Sequence, residues 1–168
     1  NVSDQALTVD RWHEIIGQIQ EVATKKTRLG IPVIYGIDSI HGANYVQGAT
    51  LFPQEIGMAA TWNPELMKRA SEITAIETRA AGIPWSFSPV LDLGRNALWP
   101  RFWETFGEDP YLASVMGAAF VRGLEGDDLT RGTAVASTVK ITFSFLVWNT
   151  APLSETRPPA KSHLVPTS

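Results

Sequence analysis

The 168 residues include no cysteine, which excludes disulfides and thiolate metal ligands and leaves the redox compartment open. Basic residues are scarce: 14 Lys and Arg stand against 17 Asp and Glu, a formal net charge of −3. Such a balance offers no surface for neutralising phosphates, so no nucleic-acid partner is expected. Apolar runs of about 18 residues, enough to span a bilayer, are missing as well. No basic amphipathic stretch marks a membrane surface, and no membrane partner is expected. The glycines form neither a dinucleotide fingerprint nor a phosphate-binding loop, and no G-x-S-x-G nucleophile elbow occurs. Of the three histidines, none has a second at ligand spacing, so no zinc site is expected.

What is present is an apolar fraction of 44%, enough to build a core. Six tryptophans suit a core and sugar faces alike. From Thr8 to Lys25 the apolar residues Trp12, Ile15, Ile16, Ile19, Val22 and Ala23 fall at helical spacing, with Thr8 or Asp10 available as a cap. The near-continuous apolar run Ile31 to Ile37 predicts a strand buried on both faces. Asn63, Pro64 and Glu65 open a second helix, with Leu66, Ala70, Ile73, Ile76 and Ala80 as its expected inner stripe and Gly82 closing it. Ile83 to Leu91 reads as a second strand. Asp109 and Pro110 open a third helix with Leu112, Val115, Met116, Ala119 and Phe120 inside, and Thr133 to Val139 is a third strand.

Alternation of this kind predicts an α/β fold with parallel strands joined by right-handed crossover helices. The composition then shifts. The 28 residues from Ile141 to Ser168 hold a single acid, Glu155, and prolines at 152, 158, 159 and 166. Ile141 to Trp148 suits a strand, whereas Ala151 onward has the composition of a flexible tail. Residues 1–140 and 141–168 are therefore expected to be separate units.

Two connections exceed the usual length of βα loops, Asp38 to Trp62 and Asp92 to Glu108, and both leave the C-terminal ends of expected strands. In parallel α/β folds ligands bind at that edge. Asp38, His41, Asn44, Asp92, Arg95, Arg101, Glu104 and Lys140 are thereby assigned to one rim, suited to a neutral polyol. Plainer roles stand beside that one. Asp38 suits a turn cap, His41 a packed loop position, Arg101 and Glu104 a mutual pair, and Lys140 a solvated strand end.

The segments 36–42 (G-I-D-S-I-H-G), 49–54 (A-T-L-F-P-Q) and 60–64 (A-T-W-N-P) resemble the N-terminal barrel of family 3 glycoside hydrolases. Segments 77–83 (E-T-R-A-A-G-I), 87–92 (F-S-P-V-L-D) and 103–110 (W-E-T-F-G-E-D-P) continue the likeness in order, from about Thr8 to Lys140. The resemblance implies part of a (β/α)₈ barrel. It also implies a retaining, exo-acting β-glycosidase of β-glucosidase type that hydrolyses terminal β-linked sugars by double displacement, without a cofactor. Its partner is an oligosaccharide or β-glucoside, and a periplasmic or extracellular location accords with the family.

By the same resemblance Asp38 grips hydroxyls of the nonreducing-end sugar. Arg101 matches the arginine of the family's W-G-R turn, and Lys140 the lysine of its lysine–histidine pair. Two departures stand out: Pro100 replaces the glycine and Ile141 the histidine. A retaining site needs two carboxyls about 5 to 5.5 Å apart, and neither family position has a counterpart in this chain. The expectation is a fragment of an interrupted enzyme, with an aberrant ending after Lys140 and very little turnover. The alternatives are a non-catalytic carbohydrate-binding module on the same scaffold and an ordinary α/β domain with another small ligand.

Overall fold

The computed structural model describes residues 5–141; the expected second unit, 141–168, lies outside the described residues except for Ile141. Along the chain run α1 (Val9–Glu21), a π turn (Val22–Lys26), β1 (Gly36–Ile37), α2 (Glu55–Ala59) and α3 (Pro64–Ala80). There follow β2 (Trp85–Ser86), a 3₁₀ turn (Phe102–Glu104), α4 (Pro110–Glu125) and β3 (Ala136–Ser137). The three strands form one parallel sheet in the order β1-β2-β3, with Gly36 opposite Trp85 and Trp85 opposite Ala136. The order never reverses, and the crossover helices α3 and α4 pack on each other. The α/β class and the parallel alternation are thus as expected.

Helix starts follow the local chemistry of the sequence. Thr8 accepts from the Arg11 N–H at 3.3 Å, Asn63 from Leu66 at 3.1 Å and Asp109 from Tyr111 at 2.8 Å. Each side chain satisfies one of the orphan N–H groups of a first turn, and proline occupies the next position in α3 and α4.

Strand extent and one helix face differ from expectation. Ile31 and Ile34, expected inside a buried strand, are 62% and 70% exposed. Only Gly36 and Ile37 enter the ladder, and the Gln20 side chain takes the place of a strand at Val33, accepting its N–H at 3.0 Å and donating to its carbonyl. On α3 part of the expected stripe turns outward: Ala70 is buried as expected, but Leu66, Ile76 and Ala80 are exposed. The buried side is Met67, Ala70, Ser71, Thr74, Ala75 and Thr78. The reason is steric. A Cβ at Gly123 of α4 would stand 2.4 Å from the Lys68 carbonyl oxygen and 2.5 Å from Ser71 Cβ, so the contact admits small side chains only. The hydroxyls that face it are satisfied within the helix, Ser71 donating to Met67 O and Thr74 to Ala70 O, each at 2.9 Å.

Two clusters share the core. Trp12 of α1 packs with Ile37, Val46, Ala81 and Ile83 under the sheet's first strand. Met58, Met67, Phe106, Met116, Phe120, Leu124 and Val135 fill the space between α2, α3, α4 and the strands.

This packing separates two glycines that sequence alone treats alike. Gly123→Ala should cost about 1–3 kcal/mol, because the helix backbones must part. Gly17, in α1 with nothing within 4 Å of an added Cβ, should gain about 0.5–1 kcal/mol as alanine. Urea denaturation of both variants checks the opposite signs.

Candidate functional site

The loops after β1, after β2 and after β3 meet at the C-terminal edge of the sheet. Beyond Ile37 the first two strands part. The last bond between them runs from Phe87 N to Ile37 O at 2.9 Å. Buried hydroxyls then hold the gap. Ser39 Oγ lies 3.1 Å from Thr78 Oγ1, Ser86 Oγ 2.6 Å from Ser88 Oγ, and Ser88 Oγ donates to Ser39 O at 3.2 Å. This network fixes the backbone on either side of Asp38. With its amide nitrogen turned inward, Asn44 donates to the carbonyls of Asp38 at 2.9 Å and Gly42 at 3.1 Å. Gly42 itself lies at φ +112°, and a Cβ there would meet Thr50 O at 2.2 Å, so this loop corner requires glycine.

On the far side of the gap β2 and β3 stay together. Lys140 N donates to Pro89 O at 2.8 Å and Leu91 N to Lys140 O at 3.0 Å. That bridge aims the Lys140 side chain back across the gap, where Nζ donates to Asp38 Oδ1 at 2.7 Å. Two residues 102 positions apart thus form a partly buried ion pair over the end of the sheet. Arg101 grips Glu104 in two places, with Nε to Oε1 at 3.0 Å. The Arg101 guanidinium is held more firmly protonated by this bond first, and the carboxylates of Asp38 and Asp92 add to the effect. Asp92 is buried. Burial and then the Asp38 charge push the Tyr45 phenol upward, so Tyr45 flanks the same site.

Of the rim residues expected from sequence, Asp38 and Lys140 touch directly, while Arg101 and Glu104 pair with each other near them. His41 takes its plainer role, its Nδ1 lying 3.0 Å from Phe52 O. Arg95 is exposed. One residue escaped the sequence reading: Glu55, in the first turn of α2, is 1% exposed. Its Oε1 accepts the Val90 N–H at 3.2 Å and its Oε2 has no partner among the described residues. The only signal in the sequence was an acid in the otherwise uncharged stretch from Leu51 to Trp62; α2 is too short to show a periodicity.

Burial pushes the Glu55 carboxyl well above its ordinary 4.5, Glu104 adds to this, and the Val90 bond and the Lys140 charge only partly offset it. An acid whose pKa rises on folding stabilises the fold fully below its unfolded value and loses that contribution as pH climbs through the folded value. Glu55→Gln, neutral at every pH, should therefore melt progressively higher than wild type as pH is raised above about 4.5. Thermal melts across pH 4 to 9 check this; parallel curves for the two proteins would refute it.

Comparisons with known proteins identify the family. The model of the glycosyl hydrolase family 3 N-terminal domain matches residues 6–143. A lysosomal beta glucosidase of Dictyostelium discoideum is 55% identical over 115 residues, 68% of this chain and 14% of that protein. A beta-xylosidase of Formosa agariphila is 41% identical over 118 residues, 67% of this chain and 16% of the relative. The structure of a mutant beta-glucosidase from Listeria innocua in complex with laminaribiose superposes with a TM-score of 0.68 at 38% identity, over 74% of this chain and 17% of that one. The chain thus spans about one-seventh of the length of the curated relatives it matches. On the strength of the family match over most of its length, the chain belongs to glycosyl hydrolase family 3, within the N-terminal domain of that family.

Proposed function

We propose that this chain is the sugar-holding front part of a retaining, exo-acting β-glycosidase of β-glucosidase type, folded as the opening section of a (β/α)₈ barrel. The observation that carries this reading is the Asp38–Lys140 ion pair across the sheet end, with Arg101 beside it. Asp38 accepts from sugar hydroxyls, and Lys140 and Arg101 donate to them, since charge-assisted bonds in a partly dry pocket are strong and directional. Such bonds tighten as the ring flattens toward an oxocarbenium-like state. The unreversed strand order and the packing of α3 on α4 support a singly wound barrel section. The nucleophile and the acid/base carboxyl belong to parts of the enzyme beyond residues 1–140. We assign neither role to Asp92, Glu104 or Glu108, and residues 141–168 remain a separate segment in this reading. We take the substrate class to be terminal β-linked glucosides, in keeping with the likeness to a lysosomal beta glucosidase.

Glucose or laminaribiose should bind the 168-residue chain saturably. Asp38→Ala should weaken that binding by about tenfold or more, the worth of about 1.5–3 kcal/mol for a bond to a charged group. Turnover of an aryl β-glucoside should be negligible. Titration calorimetry and a chromogenic assay on the same samples decide. A folded chain that ignores both sugars overturns the holding role, and brisk hydrolysis overturns the assignment of the catalytic carboxyls elsewhere. Binding by the complete enzyme that depends on Asp38, but without hydrolysis, would favour a binding module.

A further inference from the structure

We propose that Glu55 is a positioning residue for the Asp38–Lys140 pair, acting through the backbone of Val90 as a stand-in for a missing strand partner. This deepens the sugar-holding reading above and rests on it for its significance, though not for its geometry. On the side facing β3, the second strand is tied by Leu91 N to Lys140 O and by Lys140 N to Pro89 O. On the side facing β1 the last ladder donor is Phe87; past Ser88 the alternation shifts by one, so that Pro89 and Leu91 face β3 while the Val90 N–H faces away from it, and β1 has already turned away. The Val90 N–H, fully buried, goes to Glu55 Oε1 instead.

A buried N–H without a partner is rare and costly, so Glu55 fixes where Val90 lies. Val90 bridges Lys140, and Lys140 reaches Asp38. The path from Glu55 to the ion pair is thus one hydrogen bond, one bridge and one side chain.

A glutamine would serve the Val90 bond equally well, because its carbonyl also accepts. A carboxyl adds sensitivity to charge. The charged groups that act on Glu55 are Glu104 of the 3₁₀ turn and Lys140 beyond β3. His41 lines the same cavity of about 10 Å³, where α3 contributes only Ser71 and Thr74 as polar groups and α4 contributes Phe120. In its neutral form Glu55 leaves the Lys140 ammonium to Asp38. If ionised, it competes for that ammonium from below.

The test reads the ion pair itself and so does not depend on sugar binding. In ¹⁵N-labelled full-length chain, the ammonium of Lys140 is observed by NMR and assigned by its loss in Lys140→Arg. Glu55→Gln should keep the signal, and Glu55→Leu should broaden or shift it while core methyl signals of Met116 and Leu124 stay in place. An unchanged Lys140 signal in folded Glu55→Leu would overturn the inference. Should Glu55→Leu not fold, Glu55→Asp replaces it, its carboxyl one methylene short of the Val90 N–H. A Lys140 signal that shifts or broadens in Glu55→Asp supports the inference, and one that matches wild type in the folded variant refutes it. Glucose affinity measured alongside separates the two proposals: a Lys140 signal that obeys Glu55 in a chain that binds no sugar sinks the holding role alone.

Discussion

A backbone N–H or C=O that leaves water must find a partner, and this sheet supplies ladder partners over only two residues per strand. Apart from the backbone bridge between Val90 and Lys140, side chains stand in for neighbouring strands at several points above and below that narrow band. Gln20 serves Val33 below the sheet, and the Trp12 indole donates to Tyr45 O at 2.8 Å beside it. Above, Ser39, Ser86, Ser88 and Glu55 occupy the opening between β1 and β2. Strands that splay at their C-terminal ends make room for a ligand, and the same splaying strips donors and acceptors of their partners. Each one left unsatisfied would cost about 1–3 kcal/mol. The buried hydroxyls behind Asp38 supply those partners where β1 and β2 part.

The helix layer obeys a second constraint, the close approach of α3 and α4. Gly123 against the Lys68 carbonyl leaves no room for a branched side chain at the crossing, so α3 turns Ala70, Ser71, Thr74 and Ala75 inward. Met67 apart, the large apolar groups come from α4 and from outside the helix pair: Met116, Phe120, Phe106 and Met58. The outward Leu66 and Ile76 are the consequence, since a helix with a small-residue contact face has its bulky residues elsewhere.

This division explains what was legible in the sequence. Helix starts at Thr8, Asn63 and Asp109 were readable because a cap and its target lie within three residues. The alternation of strand and helix was readable for the same local reason, and so was the gathering of Asp38, Arg101 and Lys140 at one edge, which topology alone dictates. Strand lengths were not, because Ile31 to Tyr35 have strand composition but no strand beside them among the described residues. The α3 face was misjudged because a hydrophobic stripe was assumed to point inward, whereas Gly123, on another helix, decides that orientation. Glu55 could not be found, since its meaning depends on Val90, 35 residues away. The Asp38–Lys140 bond lay beyond reach for the same reason, although both residues were singled out.

The contrast between Glu55 and the Asp38–Lys140 pair bears on how such a site exchanges partners. A partly exposed ion pair is worth little net free energy, about 0–1 kcal/mol, because water competes for both groups. Asp38 and Lys140, with side chains 23% and 30% exposed, lie in that regime, so opening the pair to admit a hydroxyl costs little. On the proposed reading a polyol that donates to Asp38 and accepts from Lys140 satisfies both charges at once. The pair keeps each group aimed when no ligand is present. Glu55 is the opposite case: enclosed, with its carboxyl pushed well above its ordinary range because burial penalises the charge. On the proposed reading, an ion pair that opens at little cost lies over an enclosed carboxyl tied to Val90, so side chains adjust to a ligand while the backbone beneath them keeps its register.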